Sequence, residues 1–187
     1  MNKAIFFDRD GTLNKEIFRK ELQKWTAPHN SDEVSINTKT INLLKKLKKK
    51  NFLFFIVSNQ PDYALGLIDL KDLNSVHHKF NKILSLNSIK ICEYFYSYKH
   101  PQSIRKRYGP PCFDRKPSPY FLKKAKKKYN IDLYKSWMIG DRQADIECGK
   151  RAGTKTIGII NNRYEFNKKK NKPDFIFKSI NKIIDVI

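Results

Sequence analysis

Four aspartates stand in two close pairs whose spacing could support phosphoryl transfer. Asp8 and Asp10 flank a single residue directly after an apolar run, and Asp141 and Asp145 lie four residues apart after another. Carboxylates brought close together repel one another unless a cation lies between them. A set of oxygen ligands completed by water suits Mg²⁺ better than Zn²⁺. The aspartates therefore predict a magnesium site.

Smaller polar groups follow another apolar segment, and one lysine follows a polar loop. Ser58 and Asn59 come after the run at 53–57, and Lys116 follows a loop rich in proline and arginine. In an open α/β sheet, ligands bind beyond the carboxyl ends of the strands. Hydrogen-bonding groups and a cation would then join the aspartates, which together are the parts of a phosphoryl-transfer site.

The elements that must position these residues alternate between apolar runs and amphipathic segments. This alternation predicts an α/β fold, in which helices cover both faces of a parallel sheet. The predicted strands span residues 3–7, 53–57, 94–98, 137–139, 155–160 and 175–177. The predicted helices span residues 38–50, 69–84, 118–128, 141–152 and 180–186, with Asn37 and Asp69 as N-caps and Gly153 as a stop.

Length and composition favour one domain over residues 1–187, because 187 residues with 40% hydrophobic content suffice for a single core. The apolar runs are shorter than the roughly 20 residues of a membrane span. The N-terminus lacks the pattern of a secretory signal, so we expect a cytoplasmic protein without membrane partners. The cysteines are odd in number and widely spaced, which fits neither a disulfide framework nor a four-ligand zinc site: Cys92, Cys112 and Cys148.

The formal charge of +21 has two interpretations. Lysine runs at 45–50, 123–128 and 168–172 could form solvated basic faces of helices and a late loop. They could instead bind a polyanion such as nucleic acid, by releasing counterions from its phosphates. We favour solvated faces, and both interpretations favour an anionic substrate.

Four motifs in order resemble those of the haloacid dehalogenase superfamily phosphatases. The stretch Phe-Asp-Arg-Asp-Gly-Thr-Leu at 7–13 resembles the nucleophile motif of that family, and Ser-Asn-Gln at 58–60 its second motif. Arg-Lys-Pro at 115–117 resembles the third, and Gly-Asp-Arg-Gln-Ala-Asp at 140–145 the fourth. The resemblance implies a three-layer, Rossmann-like α/β fold with a mainly parallel central sheet and no large cap domain.

The resemblance also implies a role for each motif residue. Asp8 would attack phosphorus, and Asp10 would protonate the leaving oxygen and later activate water. Mg²⁺ would be bound by the side chains of Asp8 and Asp141 and by the backbone carbonyl of Asp10, with Asp145 supporting the site from the next helical turn. The spacing of four predicts that Asp141 and Asp145 share one helix face. Lys116 would offset charge on the phosphate and on Asp8.

The remaining implied contacts concern the substrate. Ser58 and the amide of Asn59 would hold phosphoryl oxygens, Gln60 would join the substrate contacts, and Arg115 would bind a distal anionic group. Thr12, placed in the same set, would steady Asp10 through its hydroxyl. Simpler interpretations stay open for three residues: a turn cap for Thr12, a strand-end cap for Ser58, and a favourable helix dipole for Asp145. The turn at 8–11 also resembles part of a calcium loop, but the further oxygen ligands of such a loop are missing.

Within the superfamily, the motifs resemble those of the heptose bisphosphate and histidinol phosphatases, which read their substrates with loops. Here those loops would be 14–28 and 60–66, together with Arg115. Many members hold a structural zinc before the Arg-Lys-Pro motif, but this chain departs from that pattern, because the four ligand positions hold Ser97, Lys99, Cys112 and Asp114. A charged lysine cannot bind zinc, so we predict no zinc. Packing of three aromatic residues would then order the loop: Tyr98, Tyr108 and Phe113.

The leading hypothesis is a monomeric, Mg²⁺-dependent phosphatase of a small phosphorylated sugar. The favoured substrate is the 7-phosphate of D-glycero-D-manno-heptose 1,7-bisphosphate, a precursor of lipopolysaccharide and other surface polysaccharides. Alternatives are a histidinol phosphatase, a nucleic-acid 3′-phosphatase of the same superfamily, and a non-catalytic polyanion-binding protein. The four histidines lack the spacing of a metal or catalytic pair, and we expect them to be solvated or structural: His29, His77, His78 and His100.

Overall fold

The computed structural model describes residues 1–161, 164–167 and 171–187. The strands in this part of the chain are β1 (Lys3–Phe7), β2 (Ile17–Arg19), β3 (Lys24–Thr26), β4 (Phe52–Asn59), β5 (Glu93–Ser97), β6 (Trp137–Gly140), β7 (Lys155–Ile159) and β8 (Phe175–Phe177). The α-helices are α1 (Thr38–Lys48), α2 (Leu70–Leu86), α3 (Tyr120–Tyr129) and α4 (Gln143–Ala152).

Six strands form one parallel sheet in the order β5-β4-β1-β6-β7-β8. Strand β1 lies between β4 and β6, where Phe7 pairs with Ile56 on one side and Ile139 on the other. Because neighbouring strands are parallel, the residues after β1, β4 and β6 meet at one edge. The predicted α/β fold with a parallel sheet is confirmed.

Hydrophobic side chains alternate between the two faces of the sheet, which gives two cores. On one face, Phe7 belongs to a cluster that includes Leu44 of α1 and Phe80 of α2. On the other face, Phe6 belongs to a cluster that includes Leu122 of α3 and Cys148 of α4. This alternation with a period of two makes three layers, with the sheet in the middle. The insertion between β1 and α1 holds the small antiparallel hairpin of β2 and β3 and two short 3₁₀ helices, Lys20–Leu22 and Ser31–Glu33, in agreement with the expectation of no large cap.

The predicted helix starts are correct where a side chain caps the helix. Asn37 accepts a hydrogen bond from the backbone of Thr40 at 2.8 Å, and Asp69 accepts one from Asp72 at 2.8 Å. Gly153 ends α4 with a φ of +87°. Two other predictions were wrong: α4 begins at Gln143 instead of 141, because the backbone of Arg142 is extended, and residues 180–185 form a 3₁₀ helix.

The lysines of the runs at 45–50 and 123–128 are exposed. This matches the interpretation of solvated helix faces. Residues 168–170 of the third run lie outside the described part of the chain. Among the helices that the structure describes, none combines the length and apolarity needed to cross a membrane.

Candidate active site

Asp8 and Lys116 form a buried ion pair at the centre of the sheet edge. Asp8 follows β1, and its backbone N–H donates to the carbonyl of Ile139 at 2.8 Å. The ammonium of Lys116, 5% exposed, lies 2.7 Å from Oδ1 of Asp8, 2.6 Å from Oδ1 of Asp145 and 2.7 Å from the carbonyl of Val57. Burial opposes the charge of Lys116, but Asp145 and Asp8 outweigh burial and raise its pKa. The lysine is therefore a fixed positive charge.

Three carboxylates gather around this lysine. Asp8, Asp141 and Asp145 each offer an oxygen within 4.8 Å of the other two. Burial, followed by repulsion from Asp8 and Asp145, raises the pKa of Asp141 from 3.8 to about 8. One lysine cannot balance three buried carboxylates, whereas a divalent cation among them would. The donor set of oxygens alone fits Mg²⁺.

Asp145 reaches this cluster from the first turn of α4. Its Oδ2 accepts a hydrogen bond from the backbone of Arg142 at 2.9 Å, while its Oδ1 contacts Lys116. The carboxylate thus both caps the helix and holds the lysine. Asp141 precedes the helix, so the expectation that Asp141 and Asp145 share a helix face was wrong. The extended backbone of Arg142 brings the two carboxylates together instead.

Asp141 is held by a close backbone approach and by two donors. Gly11 has a φ of +88°, and a Cβ there would lie 2.3 Å from Oδ2 of Asp141. The hydroxyl of Thr12 donates to Oδ1 of Asp141 at 3.2 Å, and Asn161 donates to Oδ2 at 2.8 Å. The predicted contact of Thr12 with Asp10 was therefore wrong, and Thr12 does not line the cavity.

Asp10 is fixed by three side chains. Arg9 contacts its Oδ2 through Nε and Nη2, both at 2.9 Å, and Gln60 donates to the same oxygen at 2.8 Å. Asn14 donates to Oδ1 at 2.8 Å. Gln60 also donates to Ser58 at 3.0 Å and accepts from Arg9 at 2.5 Å. These contacts bury Gln60, which does not line the cavity, and its place among the substrate contacts stays a prediction.

Sequence reasoning missed the roles of Arg9, Asn14 and Asn161. Arg9 is buried, and its guanidinium lies 5.2 Å from the centre of the Tyr96 ring. The one available signal for Arg9 was its position between the two aspartates of the first motif. Asn161 carried no local signal, because it reaches Asp141 from beyond β7.

Ser58 and Asn59 lie where the second motif was expected. Both line the cavity next to Asp8. The side chain of Asn59 binds the backbone of Lys116 in both directions: Oδ1 accepts from its N–H at 3.0 Å, and Nδ2 donates to its carbonyl at 3.1 Å. Asn59 thereby connects the loop after β4 to the lysine.

A cavity of about 310 Å³ opens above these residues. Its inner end contains Asp8, Asp10, Lys116 and Asp145. Its outer walls come from the loops expected to read the substrate, and they include Lys24, Trp25, Thr26, Ala27, Pro61, Asp62, Leu65 and Arg115. Glu16, from the loop predicted at 14–28, also lines the cavity, as do His100 and Arg142, to which the sequence assigned no role in the site.

Glu16 and Arg142 form an ion pair on the cavity wall. The guanidinium of Arg142 lies 2.5 Å from Oε1 of the buried Glu16, and 4.5 Å from the centre of the Tyr164 ring. Burial opposes the charge of Arg142, but Glu16 outweighs burial and raises its pKa. Two charges of this wall therefore neutralise each other.

Hydrogen bonds hold three of the four positions at which the resemblance placed zinc ligands. Ser97 donates to Asp114 at 2.8 Å, and Lys99 donates to the carbonyl of Gly109 at 3.4 Å, whereas Cys112 is a free, half-buried thiol. That no zinc binds there stays a prediction. The aromatic residues of the loop pack as follows: Tyr108 on Tyr63, Phe113 on Tyr120, and Tyr98 on Tyr96.

Comparison with known proteins identifies relatives of this chain. The model of the HAD-hydrolase-like family matches residues 113–183. A D-glycero-alpha-D-manno-heptose-1,7-bisphosphate 7-phosphatase of Photorhabdus laumondii is 31% identical over 151 residues, which cover 81% of this chain and 78% of the relative. A D-glycero-beta-D-manno-heptose-1,7-bisphosphate 7-phosphatase of Pasteurella multocida is 30% identical over 160 residues, covering 86% and 82%.

Solved structures share the fold. A D,D-heptose 1,7-bisphosphate phosphatase from B. bronchiseptica, complexed with magnesium and phosphate, has a TM-score of 0.79 and 21% identity, with 98% of this chain and 96% of that chain covered. A putative HAD-like phosphatase from Mesorhizobium loti has a TM-score of 0.78 and 22% identity, covering 94% and 80%.

Proposed function

This chain belongs to the haloacid dehalogenase-like phosphatases, and from that premise we propose that it removes the 7-phosphate of D-glycero-D-manno-heptose 1,7-bisphosphate. The observation that carries the proposal is the ion pair of Asp8 with the buried Lys116 at the inner end of the cavity, beside Asp10. A carboxylate held beside a fixed cation is in place to act as a nucleophile. The choice of heptose 1,7-bisphosphate as the substrate rests on the names of the relatives.

In the first half-reaction, a carboxylate oxygen of Asp8 attacks phosphorus, and the bond from phosphorus to the sugar oxygen breaks. Asp10 gives a proton to that leaving oxygen, which departs as a hydroxyl. In the second half-reaction, Asp10 takes a proton from water, and the water oxygen attacks the phosphorus of phospho-Asp8. Inorganic phosphate leaves and the carboxylate of Asp8 returns.

The chain's other residues act on charge and orientation. Lys116 offsets the charge of the transferring group, and Ser58 with the backbone amide of Asn59 would hold phosphoryl oxygens. Arg9, Asn14 and Gln60 fix the position of Asp10 by their contacts with both of its oxygens.

The cation site fits the same scheme. Asp8, Asp141 and the backbone carbonyl of Asp10 would bind Mg²⁺, with Asp145 supporting the site through Lys116. The ion, when bound, would neutralise charge on the phosphoryl oxygens. The oxygen donors and the raised pKa of Asp141 support this assignment.

The test is phosphate release from heptose 1,7-bisphosphate, histidinol phosphate and a 3′-phosphorylated oligonucleotide, each with Mg²⁺ and with chelator, at two salt concentrations. We expect Mg²⁺-dependent preference for the heptose with little effect of salt. A preference for the oligonucleotide that weakens with salt would instead make the basic surface functional. No phosphate release from any of the three substrates would favour a non-catalytic binding protein.

The covalent step has its own test. Asp8→Asn should abolish turnover while the far-UV circular dichroism spectrum stays that of the parent protein, because asparagine fills the same volume without the nucleophilic charge. Appreciable turnover by this variant would contradict the phospho-aspartate mechanism.

A further inference from the structure

The charges that line the cavity are unevenly paired. At the inner end, Lys116 contacts both Asp8 and Asp145. On the walls, Asp62 lies 3.2 Å from Nε2 of His29, and Glu16 pairs with Arg142. The carboxylates of the cavity thus have basic partners of their own.

Three basic side chains of the same cavity lack such partners. Lys24 of β3, His100 and Arg115 all line it, and within residues 1–161, 164–167 and 171–187 none of them forms an ion pair. Burial, followed by repulsion from Arg115 and Lys24, lowers the pKa of His100. Two cations and an imidazole N–H donor that face one concave site can together bind an anion.

Two of these side chains are oriented by the loop between β5 and α3. The backbone N–H of Gln102 donates to Nδ1 of His100 at 3.1 Å, so Nδ1 is the acceptor and Nε2 carries the proton of the neutral ring. The guanidinium of Arg115 donates through Nη1 to the carbonyl of Lys99 at 3.1 Å. The first hydrogen bond uses Nδ1 of His100, so its Nε2–H is left to donate to a ligand. The second uses Nη1 of Arg115, so Nη2 and Nε are left to donate.

We propose that Lys24 and His100 join Arg115 in binding a second anionic group of the substrate, so that the enzyme selects sugar bisphosphates over monophosphates. This inference rests on the proposed function and deepens it. The reacting phosphate would lie at Asp8, and the retained phosphate would lie between the β2–β3 hairpin and the loop that contains His100. Lys24 and His100 are then specificity-determining residues, and neither takes part in the chemical step.

The test compares kcat/KM for heptose 1,7-bisphosphate and heptose 7-phosphate in the parent enzyme and in Lys24→Gln, His100→Asn and the double variant. Asparagine at 100 can still accept from Gln102 through Oδ1, but it lacks the Nε2 donor. Lys20→Gln is the matched control, because Lys20 is exposed on the same hairpin and does not line the cavity.

We expect His100→Asn to lower kcat/KM for the bisphosphate by about tenfold, through KM, and Lys24→Gln to lower it by roughly threefold because Lys24 is more exposed. The monophosphate should be hydrolysed at nearly parental kcat/KM by both variants. Equal loss for both substrates, no preference in the parent enzyme, or a higher kcat/KM for the phosphorylated oligonucleotide would overturn the inference.

A second measurement separates this inference from the assignment of the heptose. Fructose 1,6-bisphosphate and fructose 6-phosphate would be compared as inhibitors of Mg²⁺-dependent p-nitrophenyl phosphate hydrolysis. If neither heptose is hydrolysed, the proposed substrate is wrong. Stronger inhibition by the bisphosphate that weakens in Lys24→Gln and His100→Asn would still support the second anion site, and equal inhibition by both sugars would refute it.

Discussion

Replacement of Lys116 by methionine would test whether this lysine balances the charge of the site. The ammonium is buried, and its three contacts, with Asp8, Asp145 and the carbonyl of Val57, are each 2.6–2.7 Å long. Methionine fills similar volume without the charge. It would leave the carboxylates of Asp8, Asp141 and Asp145 together with no cation among them.

The magnitude follows from the cost of breaking a buried ion pair on one side. Removing one partner typically costs about 3–5 kcal/mol, because the other charge stays buried and unpaired. For a chain of this length, that corresponds to a fall in Tm of roughly 6–20 °C. Turnover should fall by about 100-fold or more, because the charge on the transferring group loses its fixed partner.

The assay is thermal unfolding followed by circular dichroism, with chelator and with saturating Mg²⁺. Because Mg²⁺ also compensates the carboxylates, it should raise the Tm of Lys116→Met more than that of the parent protein. Lys128→Met is the control: Lys128 forms an exposed pair with Glu93 at 2.9 Å, and its loss should barely change Tm. An unchanged Tm of Lys116→Met in chelator would show that the carboxylates do not depend on the lysine, and would refute the reasoning.

Three further predictions concern the cation and the cavity. Gly11→Ala should raise the Mg²⁺ concentration for half-maximal activity by about tenfold or more, because the new Cβ would displace Asp141. Gly109→Ala should leave that concentration unchanged, because a Cβ there would lie 3.4 Å from the carbonyl oxygen of Lys106. In chelator, the native state keeps the proton of Asp141 up to about pH 8 while the unfolded chain loses it near pH 4, so stability should fall as pH rises between these values. Mg²⁺ must displace that proton, so its stabilisation, measured as the shift in Tm, should be larger at pH 8 than at pH 6, and equal shifts would contradict the raised pKa. Of the two tryptophans, Trp25 is 37% exposed on the cavity wall and Trp137 is 4% exposed in the core, so binding of a phosphosugar should change fluorescence in the parent protein and not in Trp25→Phe.

Three of the four motifs could be read from the sequence because each directly follows or borders a strand: the first follows β1, the second lies at the end of β4, and the fourth lies at the end of β6. Once β1 lies between β4 and β6, parallel strands bring Asp8, Ser58 and Asp141 to one edge, whatever the details of the loops. The same regularity made the strands and the caps at Asn37 and Asp69 predictable. These features depend on hydrophobic periodicity and on capping residues, which can be recognised from neighbouring positions in the sequence.

The partners of individual side chains depended on the tertiary structure. Thr12 binds Asp141 and Gln60 binds Asp10, although sequence position suggested other partners for both. The choice rests on how loops from distant parts of the chain approach one another.

The sequence by itself determined the fold class, because apolar runs alternate with amphipathic segments, and the family, because four motifs in order resemble those of its members. It also predicted which residues gather at the sheet edge, because parallel strands end at the same edge. Only the tertiary structure decided which charges are paired. His100 gave no signal in the sequence, yet it lies in the same cavity as Lys24 and Arg115, while Glu16 and Arg142 neutralise each other on the wall. Such pairings depend on how the loops are folded and on which side chains are buried. Neither produces a periodic pattern in the sequence, so neither could be predicted from it.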